Sequence, residues 1–454
     1  MNYKLLFIVG FIAPLFFACD DKDNNDLLEE ESVAALVSTV PANNAVVSPQ
    51  TDSVVFTFDR KITVIDETKM KLNGTDVEEA IASENTLTVY LDRLDEKTEY
   101  TLILEKNSIK ALPGKLNPEP FSLTFTTDAL PPVEVSALVT KTPSPEAVKL
   151  YNFLKENHGK KIISGTVANV NWNTNEAEWV YHHTGKYPAL NAFDYIHLYA
   201  SPANWINYEN TQVVEDWWNN NGIVAAMWHW NVPVGQGSNN YEFYTDKTSF
   251  DISKAVREGT YENGVIKADL EKISNNLLLL KQKNIPVIWR PLHEAAGGWF
   301  WWGAKGAQPC KELWKIMFDF FQEKGLNNLI WVWTAELNDN DWYPGDEYVD
   351  IIGRDMYNKP EARGMLQEYN ALKNRFPHKI IALSECGNVA GITEQWNAGA
   401  TWSWFMSWYD YERTNNLSGS AFNSEAHQHA NAAYWKNAFA NEKVISRGEI
   451  PSLK

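Results

Sequence analysis

From Ser144 onward, short apolar runs alternate with amphipathic stretches, and this rhythm limits the fold more than any other feature of the chain. Apolar runs of strand length separated by helical patterns build βα units and a parallel sheet. The runs cover 161–166, 187–194, 222–230, 285–294, 328–336, 349–358, 379–387 and 401–408. Between them, Leu270, Ile273, Leu277 and Leu280 share one helical face, as do Leu313, Ile316, Met317 and Phe320, with Gly325 in the stop position. Ser144-Pro145 suits a helix start, with Ser as N-cap and Pro in the first turn. Eight strands across 145–454 fit an α/β domain closed as a (β/α)8 TIM barrel with long loops. The alternative, an open doubly wound sheet, lacks the glycine-rich phosphate turn expected after its first strand.

The preceding residues have a different texture. Alternating runs at 54–58, 87–91, 100–104 and 121–125, with a hairpin turn at Asn73-Gly74, predict a small all-β immunoglobulin-like sandwich over 33–128. A proline-rich linker follows at 129–144. The segment Val40-Pro41-Ala42-Asn43-Asn44-Ala45-Val46, followed by Phe56-Thr57-Phe58-Asp59-Arg60, resembles bacterial Ig-like modules, which implies a spacer.

Residues 1–18 read as a signal peptide: Lys4 precedes an apolar stretch from Leu5 to Ala18, too short to span a bilayer comfortably. Phe16-Phe17-Ala18-Cys19 resembles a lipobox, although Phe16 stands where Leu is usual. The resemblance implies lipidation of Cys19. The acidic tether at 19–32 resembles the surface-export signals of Bacteroidetes lipoproteins, so a lipid anchor at the outer-membrane surface is expected, with periplasmic or secreted protein as the alternative. A net charge of −18 disfavours nucleic acid as a partner, because phosphate binding needs basic patches. The chain holds 20 Trp, 19 Tyr and 20 Phe, enough to fill a core and still line a cleft. Cys310 and Cys386, the two cysteines beyond Cys19, form no zinc spacing and no disulfide framework.

The C-terminal ends of barrel strands face the active site. The strand ends here carry Trp228-His229-Trp230, Arg290-Pro291-Leu292-His293-Glu294, Trp333-Thr334-Ala335-Glu336, Arg354-Asp355-Met356-Tyr357, Ser384-Glu385-Cys386-Gly387 and Trp402-Ser403-Trp404. Paired carboxylates cleave glycosidic bonds, one protonating the leaving oxygen while the other attacks or activates water. Glu294 and Glu385, from strands facing each other across the ring, form such a pair; Glu336 is the rival carboxylate, expected in a supporting or loop position. Adjacent His182-His183 lack the helical spacing of a metal pair, and no metal or other cofactor is expected.

The segment 290–294 with Gly297-Gly298-Trp299-Phe300-Trp301-Trp302-Gly303 closely resembles the acid/base segment of glycoside hydrolase family 26, a family mainly of β-mannanases. Ser384-Glu385-Cys386-Gly387 is similar to its nucleophile segment, and Trp228-His229-Trp230-Asn231 and Asp355-Met356-Tyr357 match further positions. The resemblance covers about 145–450 and leaves the β domain out. It departs at Ala295-Ala296, where polar residues are common, and at Cys386, where many members carry an aromatic.

The resemblance implies a retaining endo-β-1,4-mannanase acting on mannan, glucomannan or galactomannan, with Glu385 as nucleophile and Glu294 as acid/base. It implies that Arg290 and Tyr357 hold Glu385 ionised, that His229 and His293 lie beside the acid/base, and that Asp355 binds a sugar hydroxyl or orients a histidine. Trp299 and Trp404 are the expected stacking platforms, with Trp302 as a further substrate contact or, with Trp301 and Trp402, a core residue. Other expectations are a β-glycanase for mixed-linkage glucan or β-1,3-xylan, or a non-catalytic surface glycan-binding protein. Other glycan-uptake proteins are potential partners.

Overall fold

A computed structural model describes residues 32–129, 134–198 and 206–454. The expected signal peptide, Cys19 and nearly all of the tether lie outside the described residues. The chain divides into two compact units, Met1–Leu130 and Pro131–Lys454.

In the first unit, alternation drives the fold. Val54, Phe56 and Phe58 point inward from Ser53–Phe58, while the residues between them are partly exposed. A sheet of order Leu36–Val40, Ser53–Phe58, Thr86–Tyr90, Glu79–Ser83 shares a core with one of order Ala45–Val47, Phe121–Thr127, Glu99–Leu104, Met70–Leu72, Thr75–Asp76. Leu87 and Val89 from the first meet Leu102, Leu104, Leu123 and Phe125 from the second. The Asn73-Gly74 turn has both residues at positive φ, 50° and 86°, as a tight hairpin requires.

The second unit is a closed parallel barrel, as the strand rhythm predicts. Its strands are β1 (Ile162–Val167), β2 (Leu190–Asp194), β3 (Ile223–Met227), β4 (Val287–Arg290), β5 (Leu329–Thr334), β6 (Ile351–Lys359), β7 (Ile380–Val389) and β8 (Trp404–Ser407). Each pairs with the next, and β1 closes the ring by pairing with both β2 and β8. The runs from β1 to β5 are buried along their whole length, because core fills one side and helices cover the other. Helix Ala307–Glu323 shows why the helices dock: Leu313, Met317 and Phe321 lie on its buried face.

Two irregularities prepare the site. The β6–β7 register shifts between Arg354/Leu383 and Asp355/Glu385, and the β7–β8 register shifts between Leu383 and Cys386. The extra residue is Ser384, and such a bulge re-aims the side chain beside it. Gly353 makes room, since a Cβ there would lie 2.2 Å from Ser384 Oγ.

Residues 134–144, expected as linker, lie against the barrel: Val135 is buried, and the Ser144 N–H donates to the Asn327 carbonyl at 2.8 Å. The expected helix start is present, with Ser144 Oγ accepting from the Ala147 N–H at 3.1 Å. Asp350 ties this segment to β5, accepting from the Val139 and Trp331 N–H groups, each at 2.7 Å. Burial pushes its carboxyl up to about 7 despite both donors. Asp350→Ala therefore orphans two backbone donors and should cost about 2–4 kcal/mol. A lowered urea midpoint at unchanged slope supports this; an unchanged midpoint contradicts it.

Candidate active site

Strand ends build the site. β4 delivers Arg290, and the chain then turns sharply: Leu292 and Glu294 sit at φ 47° and 52°, with His293 between them. Left-handed backbone at bulky residues is strained and persists only where the surroundings enforce it. Here the Trp302 Nε1–H donates to the His293 carbonyl at 2.9 Å, and the Trp301 Nε1–H to the Trp230 carbonyl at 2.7 Å. Gly303 packs under the turn so closely that a Cβ would lie 2.0 Å from the Ala295 carbonyl oxygen.

Arg290 is the centre of the buried charge. One guanidinium nitrogen donates to Asp355 at 2.6 Å and another to Glu385 at 2.5 Å. Ser384 Oγ donates to the other Asp355 oxygen at 2.7 Å, and the Tyr357 hydroxyl donates to Glu385 Oε1 at 2.5 Å. Glu294, Asp355 and Glu385 bring carboxylate oxygens within 4.8 Å of one another. The trio has the donor chemistry of a cation site, but the Arg290 guanidinium already neutralises two of its members.

Above this charge lies a cavity of about 450 Å³. One wall is aromatic, with Tyr244, Trp299, Phe300 and Trp408; Glu336, Arg354 and Lys359 also line the cavity. The Trp299 Nε1–H donates to Glu294 Oε2 at 2.9 Å. His229 contacts Asp194 through Nδ1 at 2.6 Å and His293 through Nε2 at 3.2 Å, so Asp194 orients the histidine pair.

The family model for glycosyl hydrolase family 26 matches residues 139–438, and that for a bacterial Ig-like domain matches 31–127. The chain belongs to glycosyl hydrolase family 26. It is 33% identical over 359 residues to mannan endo-1,4-β-mannosidase B of a Piromyces species, covering 76% of this chain and 56% of that protein. It is 37% identical to a mannan endo-1,4-β-mannosidase of Thermothelomyces thermophilus, covering 64% and 61% respectively. The chain thus spans little more than half the length of these curated relatives. Among solved structures, the family 26 domain of a Prevotella bryantii endo-β-mannanase/endo-β-glucanase is 38% identical, with a TM-score of 0.62 over 69% of this chain and 98% of that one. A β-mannanase from a symbiotic protist of the termite Reticulitermes speratus, solved with a gluco-manno-oligosaccharide, is 35% identical, with a TM-score of 0.60 over 70% and 99%.

In this family 26 barrel, Glu294, Glu385, His229, His293, Trp299, Asp355 and Tyr357 all line one cavity. Arg290 lies beneath it, with its two terminal nitrogens each held by a carboxylate, and acts on those carboxylates rather than on a ligand. Asp355 spends both oxygens on Arg290 and Ser384, so it orients the arginine rather than a histidine. Two expected substrate contacts are corrected. Trp302 is wholly buried, stacked on Phe300 at 4.5 Å, because its indole N–H is needed by the β4 turn. Trp404 is also buried, on the barrel interior with Ile288, Val332 and Met406. β8 runs on to Ser407, which gives the cavity position to Trp408 instead.

Residues not anticipated are Asp194, Tyr244, Phe300, Lys359 and Trp408. Asp194 ends β2 and Trp408 follows β8, so the strand-end rule held the signal for both. Tyr244 is brought in by its loop: the Thr245 N–H donates to the Trp299 carbonyl at 2.7 Å, docking that long loop against the β4 turn. Glu336 accepts from Arg354 at 2.5 Å. Cys310 and Cys386 are both free and buried.

The two central glutamates are tuned apart. Burial, then the charges of Asp355 and Glu385, push Glu294 up to about 9. Burial and Asp355 push Glu385 up to about 7, opposed by Arg290 and Tyr357. Glu385 therefore gives up its proton first, and Glu294 keeps its own. Burial among His229 and Arg290 holds His293 neutral, well below the usual histidine range. Tyr357→Phe removes a donor that favours ionised Glu385, so the titration of Glu385 moves to higher pH. Carbon-13 NMR of glutamate-labelled protein reads this directly, and an unchanged Glu385 titration would contradict it.

Proposed function

We propose that this chain is a retaining endo-β-1,4-mannanase that cleaves mannan, glucomannan or galactomannan by double displacement. The observation that carries the retaining reading is the approach of Glu294 and Glu385 oxygens to within 4.8 Å. Retaining pairs sit about 5–5.5 Å apart, while inverting pairs leave about 6.5–9.5 Å for a water. The choice of mannan rests on the relatives, which are named as mannanases.

In this reading Glu385 attacks the anomeric carbon as Glu294 protonates the departing glycosidic oxygen. The Glu385 ester carries no charge, so one cause of Glu294's raised pKa disappears and its proton affinity falls. Glu294 then takes a proton from the incoming water, which attacks the anomeric carbon and releases Glu385.

The pH dependence follows. Activity rises as Glu385 ionises and falls, at higher pH, as Glu294 deprotonates. Glu294→Gln and Glu385→Gln should each lower kcat on mannan by roughly 10²–10⁴-fold or more, and Glu294→Gln should also lose the basic limb. Reducing-sugar release from mannan, mixed-linkage glucan and β-1,3-xylan tests this. Cleavage of glucan or xylan without mannan would reject the substrate, and full activity in either variant would reject the mechanism.

We also propose that the mature chain is held at the outer-membrane surface by a lipid on Cys19, feeding oligosaccharides to uptake proteins. This rests on the leader and acidic tether alone. Incorporation of labelled palmitate that survives Cys19→Ala would reject it.

A further inference from the structure

The carboxylate that the double displacement leaves unused is Glu336. It follows β5 and lines the same cavity as the two central glutamates, in company with Arg354 and Lys359 from β6. These side chains are held in place. Arg354 donates to Glu336 Oε2 at 2.5 Å and through Nε to Glu368 Oε2 at 2.9 Å. Lys359 donates to the other Glu368 oxygen at 2.6 Å. Glu368 is buried on helix Ala362–Arg375, behind the cavity wall. Two cations and two carboxylates alternate in a chain, so the wall is balanced in charge.

A balanced wall has no preference for a charged ligand, but it offers acceptor and donor groups side by side. Glu336 Oε1 accepts no hydrogen bond among the described residues, and Lys359 keeps two of its three protons beyond the one given to Glu368. Adjacent hydroxyls of a sugar ring have the matching chemistry, each donating and accepting. The aromatic residues, by contrast, recognise the flat apolar face of a ring.

We propose that Glu336 and Lys359 form a hydroxyl-reading subsite for a neutral sugar next to the one being cleaved, with Arg354 and Glu368 as positioning residues. The proposal deepens the glycanase reading and rests on it for the kind of ligand. Because the pair is already held by its partners, little ordering is needed when a sugar binds. The subsite sets chain-length preference rather than the rate of the chemical step, since neither residue belongs to the trio around Glu385.

The test is calorimetric binding of β-1,4-linked manno-, gluco- and xylo-oligosaccharides, from two to six units, to the full chain carrying Glu294→Gln. The comparison adds Glu336→Ala, Glu336→Gln or Lys359→Met to that background. Loss of one or two hydrogen bonds predicts roughly fivefold to tenfold weaker binding of the longer oligosaccharides, with the disaccharide less affected. Glu336→Gln retains an acceptor for Arg354 and checks that the effect of Glu336→Ala is not a collapsed wall; it should show an intermediate loss. Equal affinity in all variants overturns the proposal, as does a uniform loss at every length, or no binding of any of the three sugars. Hydrolysis of mannan by the otherwise unaltered chain is read separately. Its absence removes the mannanase reading, while the binding series still decides the subsite.

Discussion

The site hangs on one buried guanidinium. Arg290 lies between Asp355 and Glu385 with almost no exposure, and each carboxylate takes a separate nitrogen. Taking such charges from water is expensive, and removing one partner of a buried pair typically costs about 3–5 kcal/mol. The arrangement is sustained by further partners on each carboxylate. Ser384 anchors the far oxygen of Asp355, and it can do so because β7 bulges there and Gly353 leaves space beside it. Tyr357 completes the shell of Glu385. The direct consequence is chemical: donors that fill both oxygens of Glu385 favour its ionised form, while burial and the charges of Asp355 and Glu385, offset by Arg290 and one indole N–H, make Glu294 hold its proton to higher pH.

The large features were legible in the sequence because they are periodic. All eight apolar runs became barrel strands, since their continuous hydrophobicity has no other satisfactory environment than a sheet covered on both faces. Glu294 and Glu385 were legible because strand ends and specific neighbouring residues marked them. What remained hidden depended on where a strand stops and which way an indole turns. Trp404 opens β8 rather than closing it, so the cavity tryptophan is Trp408, the residue after the strand. Trp302 sits in a segment that reads like a cleft, yet its N–H is committed to the His293 carbonyl. Tyr244 arrives on a long loop through backbone hydrogen bonds, which carry no residue-type signature.

In the proposed reading, the two kinds of lining divide recognition into two tasks. Tyr244, Trp299, Phe300 and Trp408 offer apolar surface, while Glu336, Arg354 and Lys359 offer fixed polar groups. The aromatic side also affects the chemistry, because Trp299 touches Glu294 and the Trp302 N–H braces the strained turn that carries it, while the Trp301 N–H ties the following segment to the Trp230 carbonyl. Binding and proton transfer therefore share residues around Glu294, whereas Glu385 is governed from beneath, by Arg290 and its partners.

The central claim is that Glu385, held by Arg290 and Tyr357, is the group that bonds to the sugar. Incubation with a fluorinated mannoside bearing an activated leaving group, followed by peptide mass spectrometry, tests it most directly. The account predicts one glycosyl adduct per chain, on the peptide containing Ser384-Glu385-Cys386, and none in Glu385→Gln. An adduct on Glu294 or Glu336, or turnover of the same reagent with inverted product configuration, would contradict it.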